Sequence, residues 1–152
     1  MHNFSNDWLE LSQEKASYRL KIRMLLDHYF PEFPKLFFGF LIATGRFLIS
    51  KCPFPTDVLK QNVLLLREQV YRVSRCRIDD ERIMELRQAA ATSVGVDQGI
   101  GGARFRLRHL LAKYELCEQH QKEIISEIEA YLNCIDYTPF RLSREKKVLT
   151  QL

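Results

Sequence analysis

The run ARFRLRHLLAKYELCEQHQKEIISEIEAYL at residues 103–132 decides the fold. Leu107, Leu110, Tyr114, Cys117, Gln121, Ile124, Ile128, Tyr131 and Ile135 follow one another in alternating steps of three and four. That rhythm places them on one face of a helix for roughly four heptads, the pattern of a coiled-coil seam. Leu111, Ile125 and Leu132 lie beside the seam and widen it. A stripe of that width is expected to meet more than one neighbour. Gln121 is the polar interruption, a residue type that fixes register at some cost in stability. Exchanging Ile124 and Ile128 for polar residues is therefore expected to cost several kcal/mol, on the order of a small domain's whole stability.

Working outward, a second heptad pattern lies near the start. Trp8, Leu11, Tyr18, Ile22, Leu25 and Tyr29 keep the same rhythm, with Lys15 at the intervening core position. Asp7 followed by Glu10 fits a capping box that would open this helix, and Pro31 and Pro34 would close it. Between the two long helices the chain reads as shorter pieces. Residues 35–51, KLFFGFLIATGRFLISK, read as one buried helix weakened by Gly39 and Gly45. Thr56 is expected to cap a short helix from Asp57. Residues 63–75 fit helix or strand, and the helical neighbours favour helix. Asp79, Asp80 and Glu81 open a further helix, where three acids complement the positive end of its dipole, with Ile83, Leu86, Ala90 and Val94 facing inward. GVDQGIGG, residues 95–102, reads as a loop.

The expected fold class is all-α, a small helical bundle with a long heptad-patterned helix pair. The expected divisions are a first heptad helix at 7–30, a short-helix segment at 31–102, the long helix at 103–136 and a tail at 137–152. The 152 residues carry a net charge of +4, which permits an acidic partner without requiring one. Cys52, Cys76, Cys117 and Cys134 show no CxxC spacing, and the N-terminus has no apolar signal core. A cytoplasmic protein with reduced thiols is expected. The most apolar run, residues 36–49, is too short to span a bilayer and contains Arg46, so no membrane partner is expected.

No catalytic constellation is present in the sequence: there is no GxSxG, HExxH or phosphate-loop motif. Cys117 and His120 are close on one helix, but Cys117 belongs to the seam and core packing explains it better than metal binding. Capping explains Asp79, Asp80 and Glu81 better than a divalent ion. The glycines of residues 95–102 lack the Lys-Ser/Thr that follows a phosphate cradle. No cofactor and no metal are expected.

The basic residues point further. Arg19, Lys21 and Arg23 follow Lys15 along the first helix; Arg72, Arg75 and Arg77 follow the middle; Arg104, Arg106 and Arg108 open the last helix. Cations at a helix N-terminus oppose its dipole, which hints at a bound anion. The guanidinium fork matches phosphate oxygens, so these nine residues are the candidate nucleic-acid contacts. The competing account is a solvated face paired with neighbouring acids.

Four segments in order resemble one transposase family: LKIRMLLDHYFPEFPKLF at 20–37, FPTDVL at 54–59, LRQAAATSVGV at 86–96, and the heptad run at 103–132. The chain resembles, over residues 8–143, the bacterial insertion-sequence transposases that combine a RuvC-like DEDD nuclease domain with a catalytic-serine domain. Some members are RNA-guided recombinases that use a bridge RNA. The resemblance implies that this chain corresponds to the coiled-coil region between the two catalytic domains, which supports oligomerisation. TPFRLS at 138–143 is similar to the approach to the serine domain, but REKKVLTQL follows where the family has a glycine-rich turn. No family catalytic residue maps onto this sequence, and a truncated transposase without enzymatic activity is expected. Its implied partners are a second copy of itself and DNA or structured RNA. A generic coiled-coil adaptor and a functionless remnant are the alternatives.

Overall fold

A computed structural model describes residues 3–75 and 77–135. Among these residues the protein is all-α: α1 (Phe4–Tyr29), α2 (Phe33–Leu36), α3 (Ala43–Lys51), α4 (Pro55–Lys60), α5 (Val63–Val73), α6 (Asp80–Ala91) and α7 (Ile100–Ile135). Cys76, the tail at 137–152 and its TPFRLS run lie outside the described residues.

The helix boundaries follow local chemistry, in several places not the chemistry expected. The opening cap is Asn3 rather than Asp7: the Asn3 side chain accepts from the Asn6 amide at 3.2 Å, and α1 begins at Phe4. Pro31 ends α1 as expected. Residues 35–51 are not one helix. The chain breaks between Leu36 and Ala43, so α3 has an N-terminus of its own. Thr56 is not a cap; Phe54 occupies that position without a side-chain bond, and Pro55 supplies the preset first turn of α4. Asn62 caps α5, accepting from the amides of Leu64 and Leu65, and Asp79 caps α6, accepting from Arg82. Val94 lies past the end of α6 and is 84% exposed, so it does not continue that helix's inner face. The loop expected at 95–102 is shorter, because α7 already includes Gly101 and Gly102.

The chain forms two compact units, one of residues 17–113 and one of residues 3–16 with 114–135. The larger has an aromatic core. Phe30, Phe33 and Phe37 contact in series, with ring centroids 5.9 and 5.1 Å apart, and Tyr29 meets Phe54 at 5.3 Å. Leu48, Ile49, Val70, Leu86 and Leu107 are fully buried around them. Burial of such side chains is worth about 1.5–3 kcal/mol each and is the main force holding short helices together. α4 and α2 pack on α6, and α3 packs on α5.

Polar ties join the elements of this unit. Glu32 accepts from the Ser93 hydroxyl at 2.7 Å and the Val94 amide at 3.1 Å, and Val96 donates to the His28 carbonyl at 3.0 Å. These bonds strap the segment after α6 across the end of α1. Gly95 allows it, since a Cβ there would sit 2.1 Å from the Tyr29 carbonyl oxygen. Arg82 donates to the Leu36 carbonyl at 2.8 Å.

In the smaller unit α1 and α7 run antiparallel. Lys15 lies over the Tyr114 ring, Glu14 accepts from the Cys117 thiol, and Ser12 and Trp8 meet Gln121, so each step forward on α7 is a step back on α1. The two polar interruptions meet: the buried Gln121 accepts from Lys15 Nζ at 3.1 Å and donates to Ser12 Oγ at 2.9 Å and the Trp8 carbonyl at 3.4 Å. The seam is buried from Leu107 to Gln121. Beyond it, Ile124 and Ile128 are half-buried, and Tyr131 and Ile135 are 55% and 54% exposed. Because Ile124 and Ile128 are only half-buried, their polar replacement removes less buried area than the sequence pattern implies.

Candidate nucleic-acid interface

All nine candidate basic residues fall in the unit of residues 17–113. The fold gives them different occupations. Arg104 is the most committed: it forms a fork with Asp57, Nη2 to Oδ1 at 2.7 Å and Nε to Oδ2 at 3.2 Å, beside the Phe54 ring. Both side chains are largely buried, 28% and 15% exposed, so the pair ties α7 to α4. A phosphate recruited by Arg104 has to displace that carboxylate. Arg19 and Arg23 both lie over the ring of Phe40, at 5.5 and 5.9 Å, and Arg23 also pairs with Asp27 at 3.3 Å. Lys21 lies over Tyr18. Arg72 pairs with Glu68 at 2.5 Å one turn earlier on α5.

Arg106 and Arg108 are exposed. They flank the buried Leu107, and two residues of separation on a helix turn their side chains about 200° apart. They therefore address different surroundings rather than one shared phosphate. Arg104, Arg106 and Arg108 do not form a single basic face, which the sequence spacing alone conceals.

Arg75 and Arg77 come together. They line a pocket of about 360 Å³ with Ile42, Ala43 and Thr44 at the start of α3 and with Val73, Ser74 and Ile78. Arg75 is the second residue past α5, with φ of 54°, the left-handed position usually given to glycine. The Ser74 hydroxyl accepts from the Ile78 amide at 3.3 Å and donates to the Tyr71 carbonyl, which shapes the turn between α5 and α6. Sequence reasoning missed Thr44 and Arg46 because it passed one helix through residues 35–51. Arg46 donates from Nε to the Leu41 carbonyl at 2.5 Å and stands in the opening stretch of α3, which has no acid in its first turn.

The acids have structural uses. Asp79 caps α6 and Asp80 pairs with Arg67, an exposed pair in which the guanidinium hydrogen bond holds the Asp80 carboxyl below its ordinary value. Among the described residues no three His, Cys, Asp or Glu side chains gather as a metal site, and no helix is long and apolar enough to cross a membrane. The thiols are also quiet. Burial, assisted by the charge of Asp57 and opposed by Lys51, pushes Cys52 up to about 12, and burial with the Glu14 contact raises Cys117. Neither is a poised nucleophile.

Among the described residues the fold and surface define an all-α protein with scattered basic residues and with partly exposed apolar side chains toward the end of α7. The chain matches no protein-family model, no curated protein and no solved structure.

Proposed function

We propose that the chain is the assembly region of a transposase of the RuvC-like and catalytic-serine type, joining copies through α7 and holding nucleic acid through arginines, without strand cleavage of its own. One observation carries the assembly part. The heptad stripe continues past Gln121 through Ile124, Ile128, Tyr131 and Ile135, yet α1 begins at Phe4 and runs out about two turns before α7 does. Among the described residues Ile124 and Ile128 are only half-covered, and Tyr131 and Ile135 remain more than half exposed. A second copy laying its own α7 there would remove them from water at about 25 cal/mol per Å² of apolar surface. The family identity rests on the order of the four resembling segments, and the exposed Arg106 and Arg108 support phosphate contact.

The test is the mass of the chain in solution, followed by binding to duplex DNA and structured RNA over a salt series. Self-association, with affinity that falls steeply as salt rises and falls again in Arg106→Ala/Arg108→Ala, supports the reading. Metal-dependent cleavage by the purified chain, lost in an internal variant, sinks it. A protein-binding adaptor is the second reading. It is favoured by the internal engagement of Arg23, Arg72 and Arg104, and an oligomer indifferent to both nucleic acids would select it.

A further inference from the structure

The structure assigns a phosphate-binding site to the pocket at the N-terminus of α3, with Thr44, Arg75 and Arg77 as its ligands. Three independent features converge there. The amides of Ala43, Thr44 and Gly45 precede the first bond of the helix, which runs from the Arg46 amide to the Ile42 carbonyl at 2.9 Å, and the cap position holds Ile42, whose side chain has no acceptor. Such a terminus carries a partial positive charge and free donors. Thr44 is only 3% exposed and lines the pocket, and its hydroxyl has no hydrogen-bond partner among the described residues. A buried hydroxyl left unbonded is costly, and a phosphoryl oxygen in the pocket supplies the missing acceptor. Arg75 and Arg77 line the same pocket from the α5–α6 turn and add two cations.

Of the neighbouring acids, Asp80 is paired with Arg67, and Asp79 caps α6 by accepting from the Arg82 amide, which leaves one carboxylate near two arginines. The volume, about 360 Å³, lies within the roughly 300–1,000 Å³ of small-ligand sites. It admits a phosphoryl group and part of what carries it. The ligand class is a phosphate, either free or within a nucleic-acid backbone. The pocket does not depend on the transposase reading, since inorganic phosphate alone suffices to test it.

The experiment follows backbone amide shifts of the full chain while inorganic phosphate replaces chloride at constant ionic strength. Saturable shifts centred on Ala43 and Thr44 are expected. Thr44→Val keeps the side-chain shape, and Arg75→Gly relieves the left-handed backbone; both variants should fold at least as well as the parent yet bind phosphate about tenfold more weakly. A short unphosphorylated oligonucleotide is then added. If it displaces the phosphate, the occupant is a backbone phosphodiester; if it does not, the site takes a free or terminal phosphate. Shifts no larger than those in chloride, or an affinity unchanged in both variants, overturn the assignment. Loss of oligomerisation or of duplex binding leaves these outcomes unaffected, so the two readings fail separately.

Discussion

Gly45 shows how one residue's worth depends on what lies beside it. In an open helix, Gly→Ala is stabilising by about 1 kcal/mol. At Gly45 a Cβ would lie 2.1 Å from the Phe40 carbonyl oxygen, backbone that cannot swing aside. Gly45→Ala should therefore destabilise the chain by about 3 kcal/mol, read from the denaturant midpoint at unchanged slope. Gly102, in the first turn of α7, meets nothing within 4 Å, and Gly102→Ala should stabilise by about 0.5–1 kcal/mol in the same assay. The sequence pattern treats all these glycines alike, as helix weakeners or loop formers. Only the neighbouring backbone separates them. The cysteines carry a second prediction at this scale. Cys52 is fully buried with its thiol pushed up to about 12, while Cys134 is exposed. Alkylation of the native chain at pH 8 should modify Cys134 well before Cys52, and equal rates would place Cys52 in a solvent-accessible site.

At the scale of elements, caps and straps explain where helices stop. Asn62→Ala removes the acceptor for two α5 amides and should cost about 1 kcal/mol in thermal unfolding, whereas Thr56→Ala should cost little because Pro55 opens α4. The strap on Glu32 is pH-dependent. Burial pushes its carboxyl up, but the Ser93 hydroxyl and the Val94 amide together outweigh burial and hold it below the ordinary 4.5. A carboxyl depressed by folding contributes stability that is complete above its unfolded value and fades as pH falls through the folded one. Unfolding free energy should therefore drop on acidification below about pH 4.5. Glu32→Gln should flatten that part of the profile; an unchanged slope would remove Glu32 from the account. The Asp79 cap was legible in sequence because three acids precede an apolar run. The Asn3 cap was not, since Asn3 and Asp7 have the same capping chemistry and only the backbone path of the first turn chooses between them.

At the scale of the molecule, the two units meet different fates along one heptad pattern. Within residues 3–16 and 114–135, Gln121 binds Lys15, Ser12 and the Trp8 carbonyl, so the antiparallel register of α1 and α7 is held by polar contacts inside an apolar stripe. Gln121→Leu leaves an apolar position that tolerates several registers. Its expected result is a broader distribution of masses in sedimentation with little loss of helix content. Past Gln121, Ile128→Glu together with Ile135→Glu should abolish the proposed self-association while moving the melting temperature by only a few degrees, because neither side chain is fully buried within the chain. Unfolding of the monomer by that pair would show that the distal end of α7 is core rather than interface.

Heptad spacing sufficed for the all-α class, the two long helices and the proline stop of α1, because periodicity and proline geometry are local properties that neighbours seldom overturn. Residues 35–51 resisted such reading. Their apolar continuity fits one buried helix, whereas in the fold the chain breaks after Leu36 and brings the Phe40 carbonyl against Gly45, a contact that a linear pattern does not encode. The arginines divide in the same way. Their charge is written in the chain, but which are spent on Asp57, Glu68 or the Phe40 ring, and which line the α3 pocket, was decided by tertiary packing, because ion pairs and burial are set by distances between residues far apart in sequence.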